Sequence, residues 1–450
     1  MALLPAKLWY FASAGAQACY YAFLPVVYTR LGLSPAQVGV LLGVAPLVTA
    51  AAMPLWTALA DSTQSHRAVL LGTAAASTFL HCLLPLCPPR MTILLPLVVV
   101  AEAVFSPAVP LADAAVGLTL QRAGLSFAEY GKQRLWGAVG WGFVFAPLVG
   151  AIETYGRGTV RAAAPYVGHV LCCLVSLCAA RLLTQPGDAL VAQPAAGSCE
   201  EDVELLADAP AEPADADSLK SVPACTLTSF GKENDAAEAT LVSRIAHAVR
   251  STPGAQLRLA LFVVIGASMG AIDTFLFVEL TELGASTLLM GIALSVTCVA
   301  EVAVFFFAGR IQARIGVNGC LYVILCSYIV RMLYYAALRL MGSPWAVLPA
   351  QLLHGITFGL HWQIGNAYMR DLAPLGLEST LQGLFQALNA GGMFVGNLVG
   401  GVLAQRLGCG NMFACFAAAV AIVHCAFFVS CQRESVREAL QERSNDRMVN

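Results

Sequence analysis

Residues Tyr130 to Trp141 read YGKQRLWGAVGW, a stretch in which Lys132 and Arg134 run straight into an apolar helix that carries Trp141. Helical spacing sets Arg134 and Trp141 about two turns apart. An arginine at the edge of an apolar segment has two uses. It can mark the cytoplasmic end of a membrane span, or it can line a substrate path. The surrounding chain decides how much weight each reading carries.

That chain is apolar almost throughout. Of its 450 residues 58% are hydrophobic and 12% charged, more grease than a water-soluble core of ordinary surface-to-volume ratio can hide. Lipid must solvate most of it. A hydrocarbon slab of ~30 Å needs ~20 apolar helical residues and offers no partner to backbone N–H or C=O, so the spans are expected to be helical. No strand-period alternation speaks for a barrel. Apolar runs between polar or Pro/Gly breaks predict helices at about 7–29, 35–60, 68–87, 91–116, 133–152 and 165–184, then at about 257–281, 286–308, 318–339, 345–370, 377–405 and 410–431. The expected fold class is therefore an all-α membrane protein of twelve transmembrane helices in two six-helix lobes.

Gln185 to about Arg250 breaks the pattern. It is rich in Ala, Pro, Asp and Glu and contains Glu200, Glu201, Asp202 and Glu204, a composition too polar to pay for ordering. The organisation expected is a first half at 1–184, a disordered acidic cytoplasmic linker at 185–250, a second half at 251–431 and a cytoplasmic tail at 432–450. Leu241 to Val249 has helical spacing of apolar residues, yet reads first as the end of the tether. Orientation follows the basic residues. Lys7, Arg67, Arg122, Lys132, Arg134, Arg310, Arg314, Arg370 and the basic tail fall on one side, against Arg30, Arg90, Arg157, Arg161, Arg339 and Arg406 on the other. The asymmetry places both termini in the cytoplasm, and MALLPAK, with no small-residue cleavage site, reads as a signal anchor.

Several function classes lose support. The basic residues are scattered singly, so no nucleic-acid patch exists. Most of the 15 cysteines, Cys172, Cys173, Cys178, Cys415 and Cys425 among them, lie in apolar helices as small hydrophobes, and no CxxC pair suggests a metal. No nucleotide loop or nucleophile triad is present, so an enzyme, a cofactor and a metal are not expected. The halves do repeat weakly: ALADSTQSHR (Ala58 to Arg67) and AGRIQARIG (Ala308 to Gly316) are charged hairpins at matching places. Two six-helix units with matching hairpins suggest a two-lobed transporter.

On these residues the chain resembles the major facilitator superfamily. Within it the chain looks like the oligosaccharide:proton symporter branch containing lactose permease and the major-facilitator domain-containing 6 (MFSD-type) proteins. Asp61 keeps the acidic position of the superfamily hairpin, with Arg67 as its distal base. PLADAA (Pro110 to Ala115) followed by YGKQRLWGAVGW resembles the permease's sugar-binding region. The resemblance assigns Asp113, Arg134 and Trp141 to its acid, arginine and stacking tryptophan. FFFAGRIQARIG, YIVRML and LLHGITFGLHW look like its eighth, ninth and tenth helices. They put Arg331 at an essential arginine and His354 at a histidine. The permease's proton-carrying glutamate is matched here by Thr357, its lysine by Gln351, and its eighth-helix glutamate falls near Cys298, one turn from Glu301.

The residues themselves add weight to some of these places. Ionisable groups inside a membrane are costly, so Glu102, Asp113, Asp273, Glu301, Arg331 and His354 are functional candidates. Glu301, flanked by Val299, Ala300 and the apolar run Val302 to Phe307, has little local hydration and is the first candidate proton carrier, with Asp273 and His354 next. Arg331 either opposes Glu301 in that role or neutralises Glu301 or Asp273 as a fixed interhelical pair. His361 ranks below His354, and His81, His169 and His424 read as core. Arg134 offers five planar donors, Asp113 accepts hydroxyl hydrogens, and Trp141 stacks on a sugar face or an aromatic ring, or else packs between helices. The function expected is alternating-access, proton-coupled symport of a small polar organic solute: a sugar, a nucleoside or an aromatic carboxylate. The rival is a transport-inactive receptor or scaffold, which Thr357 and Gln351 favour. The partners expected are solute, proton and lipid bilayer, for a monomer in a membrane the sequence does not name.

Overall fold

The computed structural model describes residues 3–125, 129–184, 241–374 and 377–449. Helices dominate. In chain order they are α1 (Leu4–Tyr20), α2 (Leu24–Arg30), α3 (Pro35–Thr63), α4 (His66–Leu83), α5 (Met91–Phe105), α6 (Ala108–Arg122), α7 (Tyr130–Ala138), α8 (Ala146–Tyr155) and α9 (Gly158–Leu182). After the gap come α10 (Leu241–Ser251), α11 (Ala255–Glu282), α12 (Thr287–Ala336), α13 (Val347–Gln351), α14 (His361–Leu372), α15 (Glu378–Leu407) and α16 (Cys409–Val449). Two π-helical stretches, Val139–Phe145 and Gly355–Leu360, join α7 to α8 and α13 to α14. Nine helices of the described residues are long and apolar enough to cross a membrane.

Local chemistry explains where the helices start and break. At α3 the Ser34 hydroxyl accepts from the Gln37 backbone N–H while the Ser34 N–H donates to Gln37 Oε1 at 2.8 Å, and Pro35 opens the helix. The Ser286 hydroxyl caps α12, accepting from Leu289 N–H at 3.2 Å. Pro25 lacks the N–H that would continue α1, so a 3₁₀ turn, Tyr21–Phe23, separates α1 from α2. The runs expected at 286–308 and 318–339 follow each other as α12, which turns at Gly316 with φ +68° and ψ 178°. Only glycine adopts that backbone without strain. The bulk of the 185–250 linker lies outside the described residues, but its end is α10, a helix where a tether was expected. One side of α10 is apolar, and Ile245 and Val249 pack on the core of the second stretch.

That core is built on α11, α12, α15 and α16 and extends to Cys19, Phe23, Val26 and Val149 of the first stretch. Contacts between the two stretches gather at one end, where α2 and α8 finish and α3 and α12 begin. Phe23 stacks on Phe277 with ring centroids 6.2 Å apart. Arg30 Nη1 lies 3.0 Å from Glu153 Oε2, the Thr287 hydroxyl donates to the same oxygen at 3.1 Å, and Leu288 N–H donates to Thr154 Oγ1 at 3.0 Å. Glu153 is buried, so a carboxylate of the first stretch sits against the positive end of α12.

Close helix approach rests on glycine. A Cβ on Gly396 would collide with the backbone of Ala267 on α11, and backbone cannot rotate away as a side-chain tip can. Gly396→Val is expected to cost roughly 1–3 kcal/mol or more by overpacking. A thermal-unfolding midpoint equal to wild type in purified protein would show that α11 and α15 do not pack this closely.

Candidate functional site

Arg331 is the centre of the most connected polar cluster among the described residues. Its side chain is buried on α12, where every guanidinium donor needs an acceptor. Nε donates to Tyr335 OH at 2.7 Å, Nη1 to Thr357 Oγ1 at 2.9 Å and to His354 Nδ1 at 3.1 Å, and Nη2 to Gln351 Oε1 at 3.0 Å. The far side of the imidazole reaches Glu301, with Nε2 2.9 Å from Oε1. A guanidinium can only donate, so Nδ1 accepts and the ring proton sits on Nε2, aimed at the Glu301 carboxylate. His354 is thereby held as the neutral Nε2–H tautomer. Arg331 and Glu301 thus stand at the two ends of one chain, with His354 between them.

Thr357 and Gln351, whose departure from the permease pattern favoured an uncoupled scaffold, are two of the acceptors that hold Arg331. Thr357 opens the way by standing in a π-helical stretch immediately after His354, where one extra residue per turn changes which side chains share a face. His354 also stacks on Phe358 (5.3 Å, 7°), and Phe358 on Trp362 (5.5 Å, 18°). His361 is a different case: it is fully buried, with Nε2 2.8 Å from Asn389 Oδ1 and Nδ1 without a hydrogen-bond partner among the described residues.

In the first stretch Asp113 of α6 accepts from Tyr10 OH at 2.7 Å and lies 3.6 Å from Arg134 Nη1, which also donates to Tyr130 OH at 3.2 Å. Arg134 remains more than half exposed (58%) while Asp113 is mostly covered (24%), so the arginine has donors to spare for another partner. Trp141 lies half-buried within the π-helical stretch after α7. Tyr10 and Tyr130, whose rings meet edge-on at 6.2 Å, complete the cluster, and sequence reading passed them over. In the hairpin after α3, Asp61 pairs with His66 Nε2 at 2.8 Å, and Arg67 donates to the Leu183 carbonyl at 3.1 Å.

Glu102, a candidate from the sequence, meets His81 at 3.7 Å, and Tyr21 OH is 2.7 Å from the same ring nitrogen. A cavity of about 40 Å³ lined by Gln17, Tyr21, His81 and His169 adjoins them. It has room for roughly three waters.

A comparison of the carboxylates singles out Asp273. Within the candidate spans Asp61, Glu102, Asp113, Glu153, Glu279, Glu282 and Glu301 each pair with an arginine or histidine. Among the described residues of those spans, Asp273 alone carries a carboxylate with no such partner. It is exposed although its neighbours Ile272 and Thr274 are buried, and His354, Arg331 and Glu301 are the titratable groups within its electrostatic reach.

Comparison with known proteins bears on the family and the fold. A major facilitator superfamily domain-containing protein 6-like protein of Danio rerio is 30% identical over 167 residues, 37% of this chain and 30% of that protein. The match thus spans under a third of that relative's length. Maltose permease of Geobacillus stearothermophilus is 26% identical over 386 residues, 85% of this chain and 83% of the permease. Among solved structures the nucleoside transporter NupG superposes with a TM-score of 0.71 at 15% identity, covering 95% of this chain and 98% of that one, a likeness of fold. The chain is a multi-pass membrane protein with a transporter architecture, and since the family model matches residues 3–443 it belongs to the MFS_1 like family of the major facilitator superfamily.

Proposed function

We propose that the chain is a secondary transporter of twelve transmembrane helices in two lobes, both termini cytoplasmic, coupling a small polar organic solute to protons by alternating access. The helix number is supported as follows. Nine helices meet length and apolarity, the turn at Gly316 divides α12 into two spans, and the broken runs 4–30 and 347–372 supply the other two.

The observation that carries the reading is the Arg331–His354–Glu301 chain. While Glu301 is a carboxylate, its bond from His354 Nε2–H is charge-assisted and ties α12 to the α13–α14 segment. Protonation of Glu301 leaves a neutral bond of about half the strength. A proton thereby loosens one helix against its neighbour, which is what coupling to a conformational change requires. Arg134, Asp113 and Tyr10 supply the fork, acceptor and phenol that suit a hydroxylated or carboxylated solute, with Trp141 along the same run.

Arg134→Lys tests the solute half of this reading. It keeps the charge and loses the planar fork, so solute binding should weaken about tenfold, ~1.4 kcal/mol, if the contact is bidentate. Uptake kinetics equal to wild type would return Arg134 to a topological role. The Arg30–Glu153–Thr287 contact closes one end of the structure and must open in the alternate state. In Glu153→Gln the ion pair is lost, and amide exchange at 286–290 measured by mass spectrometry should quicken. Exchange as slow as in wild type would mean that other contacts hold that end shut.

A further inference from the structure

The charges of the candidate site do not balance, and the surplus lies on Asp273. Arg134 offsets Asp113, and Arg331 offsets Glu301 through an imidazole held neutral by its two hydrogen bonds. Among the described residues Asp273 is left as an exposed carboxylate with no basic partner, on a helix that is otherwise largely buried. An unpaired carboxylate at membrane depth asks for a cation, and the Asp273 side chain keeps accessible surface on which one could bind.

From this we propose that Asp273 receives the positively charged group of the solute, and that the solute class is a small organic amine. The inference rests on the transport reading above and narrows it. An ammonium N–H donates to a carboxylate in a charge-assisted bond, roughly twice as strong as a neutral one. The nearest cation, Arg331, is committed to four acceptors and cannot swing over to compete. Glu301, already bonded to His354, remains free to carry the proton, so solute charge and coupling proton occupy different carboxylates. The half-buried stack of Phe358 and Trp362 continues from His354 along the same segment. It offers apolar surface for the body of an amine whose charged end is at Asp273.

Three probes of nearly one shape separate charge from size: tyramine, its neutral alcohol analogue tyrosol, and 4-hydroxyphenylacetate. Their binding to the purified full-length chain is measured by equilibrium binding of labelled compound and by the thermal-unfolding midpoint. Tyramine is expected to bind and to raise the midpoint, and the other two to bind about tenfold more weakly or not at all. Asp273→Asn should abolish the preference for tyramine, and Asp273→Glu should keep it, which separates loss of charge from a misfolded variant. Equal binding of all three probes, no binding of tyramine, or undiminished tyramine binding by Asp273→Asn overturns the proposal. Uptake into vesicles distinguishes this failure from that of the broader reading. A neutral or anionic solute accumulated by a chain that ignores amines sinks only the amine assignment. Amine binding at Asp273 with no solute ever crossing the membrane sinks only transport.

Discussion

Glu301→Gln should abolish concentrative uptake while sparing exchange of solute down its gradient. Glutamine copies the shape of a protonated glutamate and cannot release the proton, so the variant is fixed in the loaded condition. The His354 Nε2–H still finds an oxygen to donate to, since the amide carbonyl replaces Oε1, and the fold around the 2.9 Å contact has little reason to change. What disappears is the alternation between a charge-assisted and a neutral bond. Exchange requires the loaded carrier only to reorient, whereas accumulation requires it to return empty and deprotonated. Accumulation at the wild-type level by Glu301→Gln would move the proton site elsewhere.

Arg331→Ala should be the most damaging single substitution for stability. The guanidinium is 3% exposed and donates to Tyr335, Thr357, His354 and Gln351, groups contributed by α12, α13 and the π-helical segment. Each acceptor left buried without a donor costs roughly 1–3 kcal/mol, and a cavity adds to that. Arg331→Lys should recover part of the loss and no more, because one ammonium cannot serve four acceptors set around a planar fork. A midpoint of thermal unfolding in Arg331→Ala within a degree or two of wild type would show that water replaces the arginine at no cost.

Apolar runs of the length lipid forces on a crossing helix were readable in the sequence, and the described helices follow them, with breaks near Pro25 and Ser106–Pro107 inside the runs 7–29 and 91–116 and a turn at Gly316 between two others. Pairings between helices were harder. His81 and Glu102 lie on different helices with no motif to link them, and only the packing of α4 against α5 brings the imidazole to the carboxylate. The pairing of Asp61 with His66 had no motif either: Gln64 takes a left-handed conformation (φ 50°) that turns the chain and delivers His66 to Asp61. The two π-helical stretches had no legible signature either, since Gly140, Gly142, Gly355 and Gly359 read equally as packing glycines. Thr357 and Gln351 show the cost of comparing residue by residue. Such a comparison registers a lost charge and cannot see that a neutral oxygen at the same place accepts a hydrogen bond from Arg331.

The central claim is that this chain moves a small polar solute with protons through an alternating cavity. Its most direct test is uptake from a mass-spectrometric solute panel by vesicles holding the purified full-length chain, with an imposed pH gradient, acid outside. At least one solute is expected to accumulate against its own gradient, to collapse when a protonophore is added, and to show no accumulation with Glu301→Gln. Vesicles in which no solute accumulates, or in which accumulation survives the protonophore, would contradict the account.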